Sequence, residues 1–130
     1  MAVSRAAAAA LAAAALAAVA ACGESALFGP PTEATCPPGS TLTWDSFGQA
    51  FMTRYCTRCH ARALTGADRH GAPSFHDFDT VFGVRAVRAH IDETSAAGPA
   101  AVNTSMPPDG ERPSMAERLQ LGEWLACQAP

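Results

Sequence analysis

The chain has 130 residues, one small domain's worth, with a formal charge of −3 (9 Arg, 12 acidic residues, no Lys). Without a basic run or patch it offers no electrostatic footprint for nucleic acid. Apolar residues make up 48%, but an Ala-rich opening inflates that figure, and Gly and Pro cluster between 29 and 40 and between 98 and 113, where loops are expected.

Residues 1–21, MAVSRAAAAALAAAALAAVAA, read as a targeting segment: Arg5 precedes about 16 small apolar residues that end before Cys22. An uncleaved anchor and ordinary secretory cleavage are two readings, the first weakened by the poor membrane insertion of Ala. A third comes from resemblance. Val19-Ala20-Ala21-Cys22 resembles a bacterial lipobox, which implies lipidation of Cys22 as the new N-terminus. Acyl chains worth ~0.8 kcal/mol per buried CH₂ would then anchor the protein without a helix. All three readings export the chain. Gly23 lacks the acidic retention signal of some lipoproteins, which leans toward the outer membrane. Loss of 1–21 leaves 109 residues and a charge of −4 (8 basic, 12 acidic).

Residues 22–40, rich in Pro, Gly, Ser and Thr, read as a flexible tether, and 41–130 as the folded unit. A core of about 90 residues is marginal without a staple or cofactor. No stretch alternates as a strand, so the expected fold is all-α, with three to four helices. The first runs from Thr43, its cap, through His60, with Trp44, Phe47, Phe51 and Tyr55 on one apolar stripe interrupted by Gly48. A mid-helix Gly marks a close approach by another element. The second spans Phe78 to Thr94, with Val81, Val84, Val87 and Ile91 on one side. The third follows the capping box Ser114–Glu117 and carries Leu121, Trp124 and Leu125.

The cysteines are Cys22, Cys36, Cys56, Cys59 and Cys127. Cys56-Thr57-Arg58-Cys59-His60 spells a thiol redox pair, half a zinc site, or an attachment site for c-type haem. Zinc lacks a second closely spaced ligand pair, and a thioredoxin-like pair lacks its βαβ context. In haem attachment both thiols reach the porphyrin vinyl groups and His60 becomes the proximal iron ligand. If Cys22 is lipidated and Cys56 and Cys59 hold haem, Cys36 and Cys127 remain for a disulfide; two separate thiols are the alternative. Met106, in the Pro-bounded loop NTSMPPDG, is a poor core filler and a soft donor suited to the distal position. Met52 and Met115 read as core residues, His70 and His76 as solvated loop residues, and His90 as a helix-surface residue.

Together these features resemble class I monohaem cytochromes c over residues 42–127: the Cys56–His60 motif, Met106-Pro107-Pro108, and two flanking helices in which Gly48 would pack on Trp124. The resemblance implies a fold wrapped around one covalent haem c, with His60 and Met106 as axial ligands. It implies an electron carrier rather than an enzyme, a monomeric domain exchanging electrons with a redox protein on the periplasmic side of a bacterial membrane. In that family a Gly-Pro carbonyl accepts the haem histidine's Nδ1–H; here Gly71-Ala72-Pro73 has one residue inserted, and Pro73 is the residue offered for that role. Met52 also departs from the family, standing where an aromatic is usual. Phe47, Phe51, Phe75, Leu64, Val87 and Leu121 are the expected apolar haem shell, and Arg54, Arg58 and Arg62 either steer an acidic partner or form an ordinary solvated face. Two rivals stay open: a haem enzyme or sensor with a free sixth position, using His76 or His90 as distal group, and a structural lipoprotein in which Cys56 and Cys59 form a disulfide.

Overall fold

The computed structural model describes residues 27–130. The targeting segment, Cys22 and the first part of the expected tether lie outside the described residues. The described chain is helical, without a strand; its nearest approach to one is an isolated antiparallel bridge between Ala97 and Val102. No helix among the described residues is long and apolar enough to cross a membrane.

The first helical element opens on a capping box in which Thr43 and Ser46 satisfy each other's backbone N–H groups. A π-helical turn, Trp44–Gly48, leads into helix α1, Gln49–Tyr55. The Gly48 amide reaches back five residues to the Thr43 carbonyl, a wide turn that carries Gly48 against the Trp124 ring, where an added Cβ would overlap Cζ2 and Cη2. α1 ends at Tyr55, before the cysteine motif, and not at His60 as expected. The chain turns there: the amides of Cys59 and His60 both donate to the Cys56 carbonyl. Cys, Thr and His propagate a helix poorly, so nothing local opposes the turn.

A 3₁₀ turn, Gly66–Arg69, interrupts the loop that follows. The expected single helix over 78–94 is two: α2, Val81–Ala86, capped by Thr80, and α3, Arg88–Ser95. The break falls at Val87 (φ −129°, ψ 27°), in a run weakened by β-branched valines and Gly83. Helix α4, Met115–Ala126, starts on the Ser114–Glu117 capping box. It supplies Leu121, Trp124 and Leu125 to a core completed by Phe51, Met52, Tyr55, Val84 and Ile91. Met52 is fully buried, so packing is its role.

Residues 27–40 correct the expectation of a flexible tether. The Thr32 amide and hydroxyl both donate to the Asp92 carboxylate, at 2.8 and 2.6 Å, and the Gly29 amide donates to the Glu93 carbonyl. The Asn103 side chain donates to the carbonyls of Pro30 and Asp92. Composition suggested a linker because most of the partners that hold the segment are distant in sequence, on α3, in the loop before α4 and, for Ser40, at Glu123 of α4. This strap ends where Cys36 meets Cys127 at disulfide distance, Cα atoms 4.7 Å apart.

Candidate functional site

Against the core, sharing Tyr55, Phe78 and Ile91 with it, lies a cavity of about 630 Å³, within the range of small-molecule and cofactor sites. Cys56, Cys59 and His60 line it from the turn after α1, and Met106 lines it from the loop between α3 and α4. Four residues separated by up to 50 positions in sequence thus share one space.

On the cysteine side, burial, with Cys59 beside it, pushes the Cys56 thiol up to about 12. At neutral pH it is the thiol and not the nucleophilic thiolate that disulfide exchange uses. Both cysteines are free sulfurs in this structure. Among the described residues no three His, Cys, Asp or Glu side chains converge as a metal-holding group.

His60 is fixed from two directions. Its ring stacks on Phe78, centroids 4.5 Å apart and planes within 13°, and its Nδ1–H donates to the His76 carbonyl at 3.1 Å. That bond selects the tautomer with a free lone pair on Nε2. Burial holds the His60 pKa below its ordinary value, which keeps the ring neutral and able to ligate. The acceptor is not Pro73, the residue offered by the family comparison. The Pro73 carbonyl accepts instead from Arg69 Nη2 at 2.6 Å and from the His76 amide at 3.0 Å.

Arg69, only 5% exposed, gathers this loop. Its guanidinium donates to the carbonyls of Ala61, Leu64, Pro73 and His76 and to the Asp77 carboxylate, and its Nε–H donates to the Ala72 carbonyl. The Met106 side has a counterpart. The Met106 amide donates to the Thr94 carbonyl at 2.9 Å, and the Met106 carbonyl accepts from Arg118, 3% exposed, which also serves the carbonyls of Ser95 and Asn103. Sequence reasoning missed both arginines, since neither stands in a motif.

The expected apolar shell is corrected. Phe47, Phe51, Phe75, Leu64, Val87 and Leu121 are all absent from the cavity wall. Phe51 and Leu121 belong to the core, Phe47 and Val87 pack against it, and Phe75 is 65% exposed. The α1 stripe faces Trp124, and only Tyr55, at its end, reaches the cavity. Leu27, Phe28, Phe78 and Ile91 supply the rest of the apolar wall. Leu27 and Phe28 belong to the strap.

The histidines divide. His76, expected in solvent, is 9% exposed; its Nε2 is buried with no protein partner, and it lines the cavity. His90 is exposed on α3 as expected, yet also borders the cavity 5.4 Å from the His76 ring. His70, exposed with left-handed backbone (φ 50°), lies at its edge.

Arg54, Arg58 and Arg62 do not present a bare cationic stripe. Arg54 pairs with Glu111, Arg58 with Asp109, and Arg62 approaches Asp79 at 3.7 Å. The first two pairs bridge the cysteine turn to the loop carrying Met106. No protein-family model matches this chain, and no curated protein or solved structure shows significant similarity to it.

Proposed function

We propose that this protein transfers electrons through a single c-type haem, attached by Cys56 and Cys59 and ligated by His60 and Met106. The observation that carries this reading is the convergence of those four side chains on one cavity of about 630 Å³. The donor set fits the group. Two free thiols stand at CxxCH spacing, a neutral imidazole has its Nδ1 occupied and its Nε2 available, and a thioether approaches from another segment. His76 Nε2, buried and unpartnered at the wall, awaits a polar group that a cofactor edge would supply.

Iron between an imidazole and a thioether supplies one-electron transfer at a raised potential. The chain's part is to hold both ligands still and exclude water. Phe78 and the His76 carbonyl fix the imidazole, the Thr94 carbonyl and Arg118 fix the Met106 backbone, and Phe28, Tyr55 and Ile91 wall the space. The lipobox-like Val19–Cys22 supports export to the periplasmic side of a bacterial membrane with a lipid anchor at Cys22, the outer membrane being favoured by Gly23. The folded part would act as a monomeric carrier serving a redox protein.

A second reading, a haem enzyme or sensor with an open sixth position, draws on His76, a polar group already at the cavity wall. One preparation separates the two. The chain is exported with haem maturation, then run on a denaturing gel and examined by visible spectroscopy. Haem that survives denaturation, a sulfur-to-iron charge-transfer band when ferric and no CO uptake when ferrous are expected of the carrier. CO uptake supports the second reading, and absence of covalent haem ends both.

A further inference from the structure

The two most deeply buried arginines among the described residues, Arg69 and Arg118, flank the two halves of the candidate site. Each is nine-tenths or more buried, and each spends its guanidinium on backbone carbonyls. Arg69 reaches five carbonyls between Ala61 and His76, with Asp77 as its carboxylate partner. Arg118 reaches three, and among the described residues no carboxylate comes within ion-pair distance of it.

Burying a guanidinium is expensive, and apolar side chains of similar volume are often neutral or stabilising in its place. Each arginine touches one backbone group that matters to the site. Arg69 Nη2 and His60 Nδ1 share the His76 carbonyl, each at 3.1 Å. Arg118 Nη1 donates to the Met106 carbonyl at 3.2 Å. Arg69 donates from Nε, Nη1 and Nη2 and so ties carbonyls from different parts of its loop at once, which a lysine ammonium cannot reproduce; Arg118 makes all three contacts from Nη1, one bond farther along the side chain than a lysine nitrogen.

We infer that Arg69 and Arg118 are a matched pair of positioning residues: Arg69 fixes the carbonyl that orients His60, and Arg118 fixes the backbone that presents Met106. The inference rests on the haem reading and deepens it. Arg118 is absent from the cavity wall; Arg69 is on it, with its guanidinium engaged by the carbonyls of its own loop and by Asp77. Each acts by pinning a loop, which on the Arg69 side contains only the short 3₁₀ turn Gly66–Arg69.

The test uses the full mature chain with haem attached, comparing wild type with Arg69→Lys, which keeps the charge and loses the fork, and Arg118→Lys, which keeps the charge and draws the donor back by one bond. Loss of an outer partner of a metal ligand typically weakens the site roughly 10–100-fold. In Arg118→Lys, imidazole should bind the ferric iron roughly tenfold or more tightly, and the sulfur-to-iron band should weaken, because Met106 is easier to displace. In Arg69→Lys that band should persist, while the His60 Nδ1 proton exchanges with solvent roughly tenfold faster. A merely structural role predicts a lower melting temperature with imidazole affinity, band and proton exchange unchanged, and that result overturns the inference. Should either variant fail to fold, wild type answers alone: separately resolved, slowly exchanging guanidinium protons for both arginines are expected, and rotationally averaged signals refute pinning. Wild type without a haem adduct sinks the haem reading and this inference with it. An intact adduct with unaffected ligands sinks the inference alone.

Discussion

Replacing Gly48 by Ala probes the packing that carries the cysteine motif. Gly48 has ordinary right-handed helical backbone (φ −58°, ψ −49°), so Ala fits the local conformation. At an exposed helical site the change would stabilise by about 1 kcal/mol. Here the new methyl would overlap Cζ2 and Cη2 of Trp124. Trp124 is fully buried, with Phe47 edge-on at 5.9 Å and Trp44 at 6.2 Å. The indole therefore has no free direction in which to yield. Overpacking of this kind costs ~1–3 kcal/mol, and an overlap with rigid ring carbons belongs at the upper end. Subtracting the helix gain leaves a net loss of about 2 kcal/mol. At ~4–8 °C per kcal/mol for a domain of this size, Tm should fall by about 8–16 °C. Thermal unfolding followed by far-UV circular dichroism measures it, with Trp124→Ala as the second edge of a double-mutant cycle. In the Trp124→Ala background the same Gly48→Ala change should stabilise, giving a coupling of about 2–3 kcal/mol. A Tm that rises in wild type, or an equal effect in both backgrounds, would refute the close-packing argument.

Met106→Ala should abolish the sulfur-to-iron band, lower the potential and open the iron to exogenous ligands, since Met/His ligation is what raises it; an unchanged spectrum removes Met106 from the iron. Paired Cys36→Ser and Cys127→Ser changes should cost about 4–5 kcal/mol in urea unfolding on the loop-entropy account of a 91-residue separation, and a loss below about 1 kcal/mol would mean the bond is not formed. Burial holds the pKa values of His60 and His76 below ordinary, so below about pH 6.5 the unfolded chain takes up protons first. In the haem-free chain this stability is complete above that pH and declines as pH falls toward the lower folded values; a urea midpoint that rises between pH 7.5 and 5.5 would contradict it. Asp92→Ala strips the Thr32 amide and hydroxyl of their acceptor, and at ~1.5–3 kcal/mol per hydrogen bond to a charged group it should destabilise by at least about 2 kcal/mol. Faster hydrogen exchange at Thr32 would accompany it, and unchanged exchange would show that the strap is held by other contacts.

Features whose cause is local were legible in the sequence. The caps at Thr43 and Ser114 follow from side-chain chemistry within four residues, and the Gly48–Trp124 contact follows from a glycine that a helix would otherwise reject. The Cys56–His60 spacing and the proline-bounded Met106 singled out, from two distant segments, residues that line one cavity. What stayed hidden depends on distant partners. The strap looked like linker because Thr32 finds Asp92 sixty residues away. The break at Val87 turns on small differences in propensity that no motif records. His76 read as a solvent-facing loop residue, because its burial depends on Arg69 folding the loop over it. The α1 stripe correctly marked an apolar face, but not which of two apolar neighbours, core or cavity, that face would meet.

The placement of charge argues that site geometry was built at the expense of stability. Small domains gain most from filling their interiors with apolar side chains, yet this one buries two arginines. The compensations are long-range links: the Cys36–Cys127 closure, the Thr32–Asp92 anchor, and the Arg54–Glu111 and Arg58–Asp109 pairs, which join the cysteine turn to the Met106 loop across about 50 residues of sequence. Exposed ion pairs contribute little to stability. Their value here is geometric, because they span the two segments that must stay at a fixed separation for a ligand from each to face the same space. The two ion pairs outside and the two guanidiniums behind act on the same pair of loops from opposite sides. Those contacts tie the segment that carries Cys59 and His60 to the segment that carries Met106.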